Sequence, residues 1–249
     1  MKIFVINLKD SIERRAYIQS LFEPYSNIDL TFTAAVDGRY LTDIQLQKIF
    51  KQTQSYKIYG RFLGGGEVGC TLSHRKCYSA LLNSSRESAL VVEDDLVLRT
   101  DDFASYLLKI ESYMATIKDP HILLLSGDYW YTTIRRLSNG LSLANVREAV
   151  CSHAYVINRQ AAEIILSSEP CYLADDWFHI KKLGIHISAL FPHIADQNRK
   201  DWTTDISDAY TGTIRRNLSV GKMVHSYYRA IIKRILKYSG HFESKTFLQ

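Results

Sequence analysis

The sequence predicts an α/β fold, a mostly parallel sheet with helices on both faces, and three observations point to it. Apolar runs at residues 3–8, 89–92, 122–125 and 154–157 are continuous, as in strands buried on both faces. Segments with helical period and cap signals stand between them, and alternation of strand and helix favours this layered architecture. The chain has 249 residues, 46% of them apolar and 23% charged. That is enough to bury a large core without disulfides or a structural metal, and it excludes disordered, collagen-like and disulfide-scaffold classes.

The elements follow in order. Residues 3–8 read as a strand, and Asp10 with Glu13 offers a capping box for a helix carrying Tyr17, Ile18, Leu21 and Phe22 on one face. Residues 31–36 read as a second strand, ended by Asp37-Gly38, and Thr42 with Gln45 offers a second capping box for a helix holding Ile49 and Phe50. Gly64-Gly65-Gly66 frees the backbone before a segment at 67–82. The strand at 89–92 then stops abruptly at Glu93-Asp94-Asp95. Strands at 122–125 and 154–157 follow, the second leading into a helix capped by Asn158 with Ala161, Ala162, Ile164, Ile165 and Leu166. Ile185, Ile187 and Ala189 alternate as a further strand that ends at Phe191-Pro192-His193.

Basic residues number 31 and acidic residues 26, a formal charge of +5, but the imbalance is local. Beyond residue 214 the chain carries Arg215, Arg216, Lys222, Arg229, Lys233, Arg234, Lys237 and Lys245 against one acid, Glu243. The chain therefore divides into a main domain at 1–214 and a basic amphipathic helical tail at 215–249. In the tail Met223, Val224, Tyr227, Tyr228, Ile231, Ile232, Ile235 and Leu236 form an apolar stripe. Such a segment lies on anionic lipid without spanning it, or packs as a terminal helix on the core or in a dimer. The N-terminal apolar run is too short for a signal peptide or a bilayer span, so a cytosolic protein is expected, peripheral on the inner membrane if the tail binds lipid. Cys70, Cys77, Cys151 and Cys171 show no C-x-x-C spacing and read as small core thiols, and the histidines show no recognisable zinc spacing.

In open α/β sheets ligands bind at the carboxyl ends of strands, which directs attention to two places. At the first, strand alternation places Glu93 and Asp95 on one side, where two carboxylates repel unless a cation sits between them. Oxygen ligands suit Mg²⁺ or Mn²⁺, ions that complete their shell with water and substrate phosphates. The competing reading is a solvated acidic turn, but apolar Leu96-Val97-Leu98 resumes directly after the acids. At the second, Asn7 to Arg15, a helix N-terminus joined by Arg14 and Arg15 suits a phosphate or nucleoside, and the competing reading is a solvated basic face. Neither a dinucleotide-binding nor a P-loop glycine motif is present.

Asp175-Asp176-Trp177 forms another acidic cluster in an aromatic setting. Partial desolvation there raises a carboxylate toward general-base strength, while Asp175 also suits a helix N-cap. His193, at the end of its strand, is a candidate for a late metal or diphosphate contact, with Gln197 as its rival.

Together these residues resemble a known family. Phe4-Val5-Ile6-Asn7-Leu8 with Glu13-Arg14-Arg15, then Gly66-Glu67-Val68-Gly69-Cys70 with Ser73-His74, then Leu90-Val91-Val92-Glu93-Asp94-Asp95 resemble glycosyltransferase family 25. The likeness continues more weakly through Ser152-His153-Ala154-Tyr155 and Asp176-Trp177 to about residue 210. That family includes lipooligosaccharide galactosyltransferases and is similar to the collagen galactosyltransferases. The resemblance implies a GT-A type nucleotide-sugar-binding sheet, a UDP-hexose donor (UDP-galactose or UDP-glucose) and inversion at the anomeric carbon. Glu93-x-Asp95 then takes the place of a D-x-D motif, with Asp95 as ligand to Mn²⁺ or Mg²⁺, Glu93 and Asp94 assisting, and His193 as a late ligand. Asn7, Leu8 and Arg14 would lie by the uridine or diphosphate, and Ala35, Val36 and Asp37 would line the nucleoside pocket. Asp176, with Asp175 as second choice, would deprotonate the acceptor.

The expected acceptor is a lipid-linked oligosaccharide, an outer-core sugar of lipooligosaccharide or lipopolysaccharide. A glucosyltransferase of the same family and a sugar nucleotidyltransferase are the enzyme alternatives. A single-strand nucleic-acid binder, suggested by the basic, tyrosine-rich end, leaves the strand-end acids unexplained, so no nucleic-acid partner is expected.

Overall fold

The computed structural model describes residues 1–25, 28–198, 202 and 220–244. Arg215, Arg216 and Lys245 of the basic tail, and the boundary expected at residue 214, lie outside the described residues.

The chain opens with β1 (Lys2–Asn7), α1 (Ile12–Phe22) and β2 (Asp29–Ala34). It continues through α2 (Asp43–Ile49), α3 (Gln52–Tyr59) and α4 (Gly65–Leu82) to β3 (Ser88–Glu93) and β4 (Leu96–Leu98). Then come α5 (Phe103–Thr116), β5 (His121–Leu124), β6 (Tyr129–Arg136), β7 (Ser142–Ala149), β8 (Ala154–Asn158) and α6 (Arg159–Ser167). Finally α7 (Trp177–Lys182), β9 (His186–Leu190), β10 (Ala195–Gln197), α8 (Val220–Tyr238) and β11 (Phe242–Glu243) complete the described chain.

Nine of the strands make one sheet in the order β11-β6-β7-β9-β5-β8-β3-β1-β2, and β10 pairs with β4 beside it. The continuous apolar runs have the expected cause. Phe4 and Ile6 face α4, α6 and α7 on one side of the sheet, whereas Ile3 and Val5 face α1 and α5 on the other, and all four are buried. Burial of each such side chain stabilises by about 1.5–3 kcal/mol.

The sheet is mixed, not mostly parallel. β1 runs parallel to β2 and β3, and β5 to β9, but β8 runs antiparallel to both β3 and β5, and β7 to both β6 and β9. A continuous apolar run reports burial on both faces and says nothing of strand direction, which is why the expectation failed there.

The capping box at Thr42 and Gln45 forms, and Asn158 caps α6 through the Ala161 N–H. Asp10 and Glu13 form no such box: Ser11 is the N-cap of α1 and makes no side-chain bond. Asp176, rather than Asp175, caps α7. β4 explains the apolar residues after the acids, because the chain turns at Asp94-Asp95 and starts a second small sheet, with Gln197 opposite Leu96.

Candidate active site

A cleft lies where β1, β2 and β3 deliver their carboxyl ends, with about 770 Å³ of empty space counted out to open solvent. Parallel register brings Asn7 beside Ala34 and Ile6 beside Glu93, so the end of β1 is the midpoint of the cleft floor. Of the expected donor-site residues, Leu8, Arg14, Ala35, Val36, Asp37, Glu93, Asp94 and Asp95 all line it.

One wall is the segment at 35–38, held against α4 by very close backbone packing. A Cβ on Gly69 would stand 2.5 Å from the Val36 carbonyl oxygen, and one on Gly38 would run into the Gly65 backbone. Glycine is needed at these positions for approach, not for a turn. The Val36 N–H donates to Ser73 Oγ at 2.8 Å, and that hydroxyl donates to the Gly69 carbonyl at 2.6 Å. Asp37 accepts from the Arg39 backbone and guanidinium, which hold its carboxyl below the usual range.

The three acids have different surroundings. Asp94 accepts from Asn7 Nδ2 at 2.8 Å and from Arg14 at 3.2 Å, yet burial still keeps its pKa raised. Asn7 is buried beneath the floor and reaches the cleft only through Asp94. Burial alone would push Glu93 up, but His74, His153 and the Ser152 hydroxyl outweigh it and hold the carboxyl down. Asp95 accepts from Gln197 Nε2 at 2.6 Å through one oxygen, while the other, Oδ1, is buried without a hydrogen bond. Burial, then the charges of Glu93 and Asp94, push Asp95 up to about 7.

Asp94 and Glu93 have basic neighbours in Arg14, His74 and His153, whereas Asp95, with one oxygen buried without a hydrogen bond and two further carboxylates beside it, is left short of positive charge. The residues present thus fit a hard divalent cation, with Asp95 and Glu93 as oxygen ligands.

His193 is not brought to the cleft. Its Nδ1 is 2.6 Å from Glu243 and its Nε2 is 3.3 Å from Asp196. Burial alone would lower its pKa, but these carboxylates push it up to about 9. Gln197, weighed as its rival, is the residue that lines the cleft, because the pairing of β10 with β4 carries it to the acids.

Asp175 and Asp176 lie one strand further along. Asp176 accepts from Tyr59 at 2.7 Å and shares a 2.6 Å bond with the His179 ring, contacts that hold it below its ordinary range. Asp175 accepts the Cys151 backbone N–H at 3.2 Å, and burial, with Glu93 nearby, raises it. Cys70 is no core thiol but part of the cleft wall, as is His74, one helical turn later on α4. Their i, i+4 spacing is visible in the sequence, but the carboxylate opposite them comes from β3 and is not.

The model of glycosyltransferase family 25 (LPS biosynthesis protein) matches residues 1–178. Over 179 residues the chain is 28% identical to procollagen galactosyltransferase 1 of Danio rerio, covering 68% of this chain and 29% of that protein. It is also 28% identical over 176 residues to procollagen galactosyltransferase 2 of Homo sapiens, covering 68% and 28%. The chain spans less than a third of the length of these curated relatives. Among solved structures, the UTP-bound UGPase of Acinetobacter baumannii superposes with a TM-score of 0.41 at 8% identity, covering 79% of this chain and 87% of that one. The matched span holds β1, the glycine-packed wall, the acids at 93–95 and the Asp175-Asp176 pair, and on that match the chain belongs to glycosyltransferase family 25.

Proposed function

We propose that this enzyme transfers galactose from UDP-galactose, with inversion, to a sugar hydroxyl of a lipid-linked oligosaccharide of the lipooligosaccharide or lipopolysaccharide outer core, on a GT-A type sheet. The observation that carries the reading is the unsatisfied Asp95 oxygen among three acids on the floor of the cleft at the carboxyl ends of β1, β2 and β3. The family's description as an LPS biosynthesis protein supports the acceptor class, and the galactosyltransferase relatives support the hexose.

Asp95 and Glu93 would hold Mn²⁺ or Mg²⁺, which when bound supplies Lewis-acid neutralisation of the departing diphosphate. Gln197, which lines the cleft, fixes the Asp95 carboxylate through one oxygen and leaves the other for an ion. Arg14, held by Asp94 at the cleft edge, adds fixed positive charge for the donor. The 35–38 wall and Leu8 enclose the nucleoside. Asp175, with its raised pKa and its carboxylate held by backbone bonds alone, takes the acceptor proton as that oxygen attacks opposite UDP. Asp176 positions this segment by capping α7 and anchoring Tyr59.

Calorimetry with UDP-galactose tests the reading. Donor binding is expected to need Mn²⁺ and to weaken at least tenfold in Asp95→Asn, with transfer lost. Equal binding in EDTA, or turnover of UTP with a sugar phosphate instead of transfer, would overturn it.

A further inference from the structure

The α4 side of the cleft carries a second donor set, of different chemistry. Cys70 and His74 are four residues apart on α4 and share one face, and Glu93 meets them from the end of β3. The Cys70 sulfur, an imidazole nitrogen and a carboxylate oxygen all lie within 4.8 Å of one another. All three residues line the cleft, so an ion has a path to them.

The histidine is placed as a ligand would be. It is 1% exposed and its ring stacks on Tyr155 with centroids 5.7 Å apart. Nδ1 is 2.7 Å from the Tyr155 hydroxyl, which is 2.6 Å from the Tyr78 hydroxyl. In the neutral ring with Nδ1–H donating to Tyr155, the lone pair lies on Nε2, aimed into the cluster. In the protonated ring that nitrogen faces Glu93 as a cation and holds its carboxyl down, and a metal ion would take the place of that proton. Nε2 is buried and makes no hydrogen bond, and Glu93 Oε1 stands 3.5 Å away without forming one. A histidine serving only the core would satisfy both nitrogens. A hydrogen bond at the rear nitrogen and an open front nitrogen is the arrangement by which proteins orient a metal-binding imidazole.

We propose that Cys70, His74 and Glu93 form a binding site for a zinc-class divalent ion, beside the oxygen site at Asp95 and sharing Glu93 with it. Thiolate, imidazole and carboxylate together suit Zn²⁺ or Co²⁺, whereas Mg²⁺ favours oxygen ligands throughout. Tetrahedral coordination with bonds of about 2.0–2.3 Å spaces its donors by roughly 3.3–3.8 Å, so the cluster has to contract by about 1–1.5 Å at most. Side-chain rotation at Cys70 and Glu93 supplies that. Three protein ligands leave one position open toward the cleft, as in zinc sites that take an exchangeable ligand. The donor cluster and the open His74 nitrogen support the site without reference to the proposed transfer reaction, although the two sites share Glu93.

The test is a Co²⁺ titration of the chelator-stripped full chain followed by absorption spectroscopy. One equivalent is expected to give visible ligand-field bands and a near-ultraviolet thiolate-to-cobalt band, both bleached by one equivalent of Zn²⁺ and unaffected by Mg²⁺. Cys70→Ser is expected to remove the thiolate band, and Tyr155→Phe to keep it while weakening cobalt about tenfold, since it loses only the bond behind His74. Asp95→Asn is expected to keep the cobalt bands while losing Mn²⁺, which separates this site from the proposed donor cation. On the unaltered protein, Zn²⁺ should protect Cys70 from alkylation as read by mass spectrometry, so the result survives a poorly folding variant. No thiolate band in the wild type, the same band in Cys70→Ser, or alkylation of Cys70 at equal rates with and without Zn²⁺ would overturn the proposal.

Discussion

Asp176 accepts hydrogen bonds from Tyr59 and from the His179 backbone and pairs with the His179 ring, whereas the Asp175 side chain accepts one from the Cys151 backbone. Adjacent acids of one type thus acquire opposite pKa shifts, because one is compensated and the other is only buried. Substitution should separate them. Asp175→Asn keeps an acceptor for Cys151, so folding and donor affinity should stay within twofold while kcat falls at least about 100-fold. Asp176→Ala removes a helix cap and strands the Tyr59 hydroxyl, at a combined cost of about 2–3 kcal/mol. Its melting temperature should fall by several degrees, with kcat per folded molecule far less affected than in Asp175→Asn. Loss of kcat in the Asp176 variant at unchanged melting temperature would reverse the assignment. The sequence showed the acids at 93–95 because charge follows a buried run without transition. It put Asp176 first and Asp175 second; the reverse order proposed here rests on their partners Tyr59 and Cys151, which lie far away in the chain.

At the scale of elements, the close approach of α4 to the 35–38 segment shapes the cleft wall proposed to hold the nucleoside. Gly69→Ala would put a methyl group against the Val36 carbonyl, an overpacking cost of about 1–3 kcal/mol that the wall relieves by moving into the cleft. Donor KM should rise several-fold with kcat nearly unchanged, as steady-state kinetics can show, and unaltered KM would mean the wall is not a donor contact. His193 provides a second element-scale case, since it ties Glu243 of β11 to Asp196 of β10. Its folded pKa of about 9 exceeds the ordinary 6.5, so its contribution is full below pH 6.5 and is lost as pH rises through 9. That contribution is on the order of 3 kcal/mol. Thermal unfolding should show a stability drop between those pH values that His193→Gln abolishes. The strands buried on both faces, β1, β3, β5 and β8, were legible because pattern alone marks them. β6 was not, since its second half is exposed and polar, and its partner β7 is joined to it through Asn139 and Gly140, whose φ is +88°. α5 goes unassigned from sequence although Phe103, Leu107, Ile110 and Met114 recur at helical spacing.

For the whole molecule, the tail helix α8 is oriented the reverse of a core helix. Arg229 donates to Glu148 at 2.8 Å and stacks 3.8 Å from the Phe178 ring, while Lys233 and Lys237 lie over Trp130 and Phe242. The cations thereby face the body, while Val224, Tyr227, Ile235 and Tyr238 are 60–90% exposed. No helix among the described residues is long and apolar enough to cross a membrane. A surface-lying role for α8, the role expected if the acceptor is lipid-linked as proposed, then draws little on charge. Lys222 and Arg234 are exposed and, among the described residues, lie over no aromatic ring, and at about 1 kcal/mol each they contribute about 2 kcal/mol. Four apolar side chains, each worth about 1.5–3 kcal/mol when fully buried, contribute more even at half burial. Vesicle binding should therefore persist in moderately raised salt, unlike that of a polybasic segment. A triple change of the exposed residues, Val224→Asp, Tyr227→Asp and Ile235→Asp, should leave the melting temperature unchanged and abolish co-sedimentation with anionic vesicles. Equal pelleting of the wild type and the triple variant would show that the outward stripe does not meet lipid, and a stripe that instead pairs two copies would appear as a dimer that the same variant dissociates.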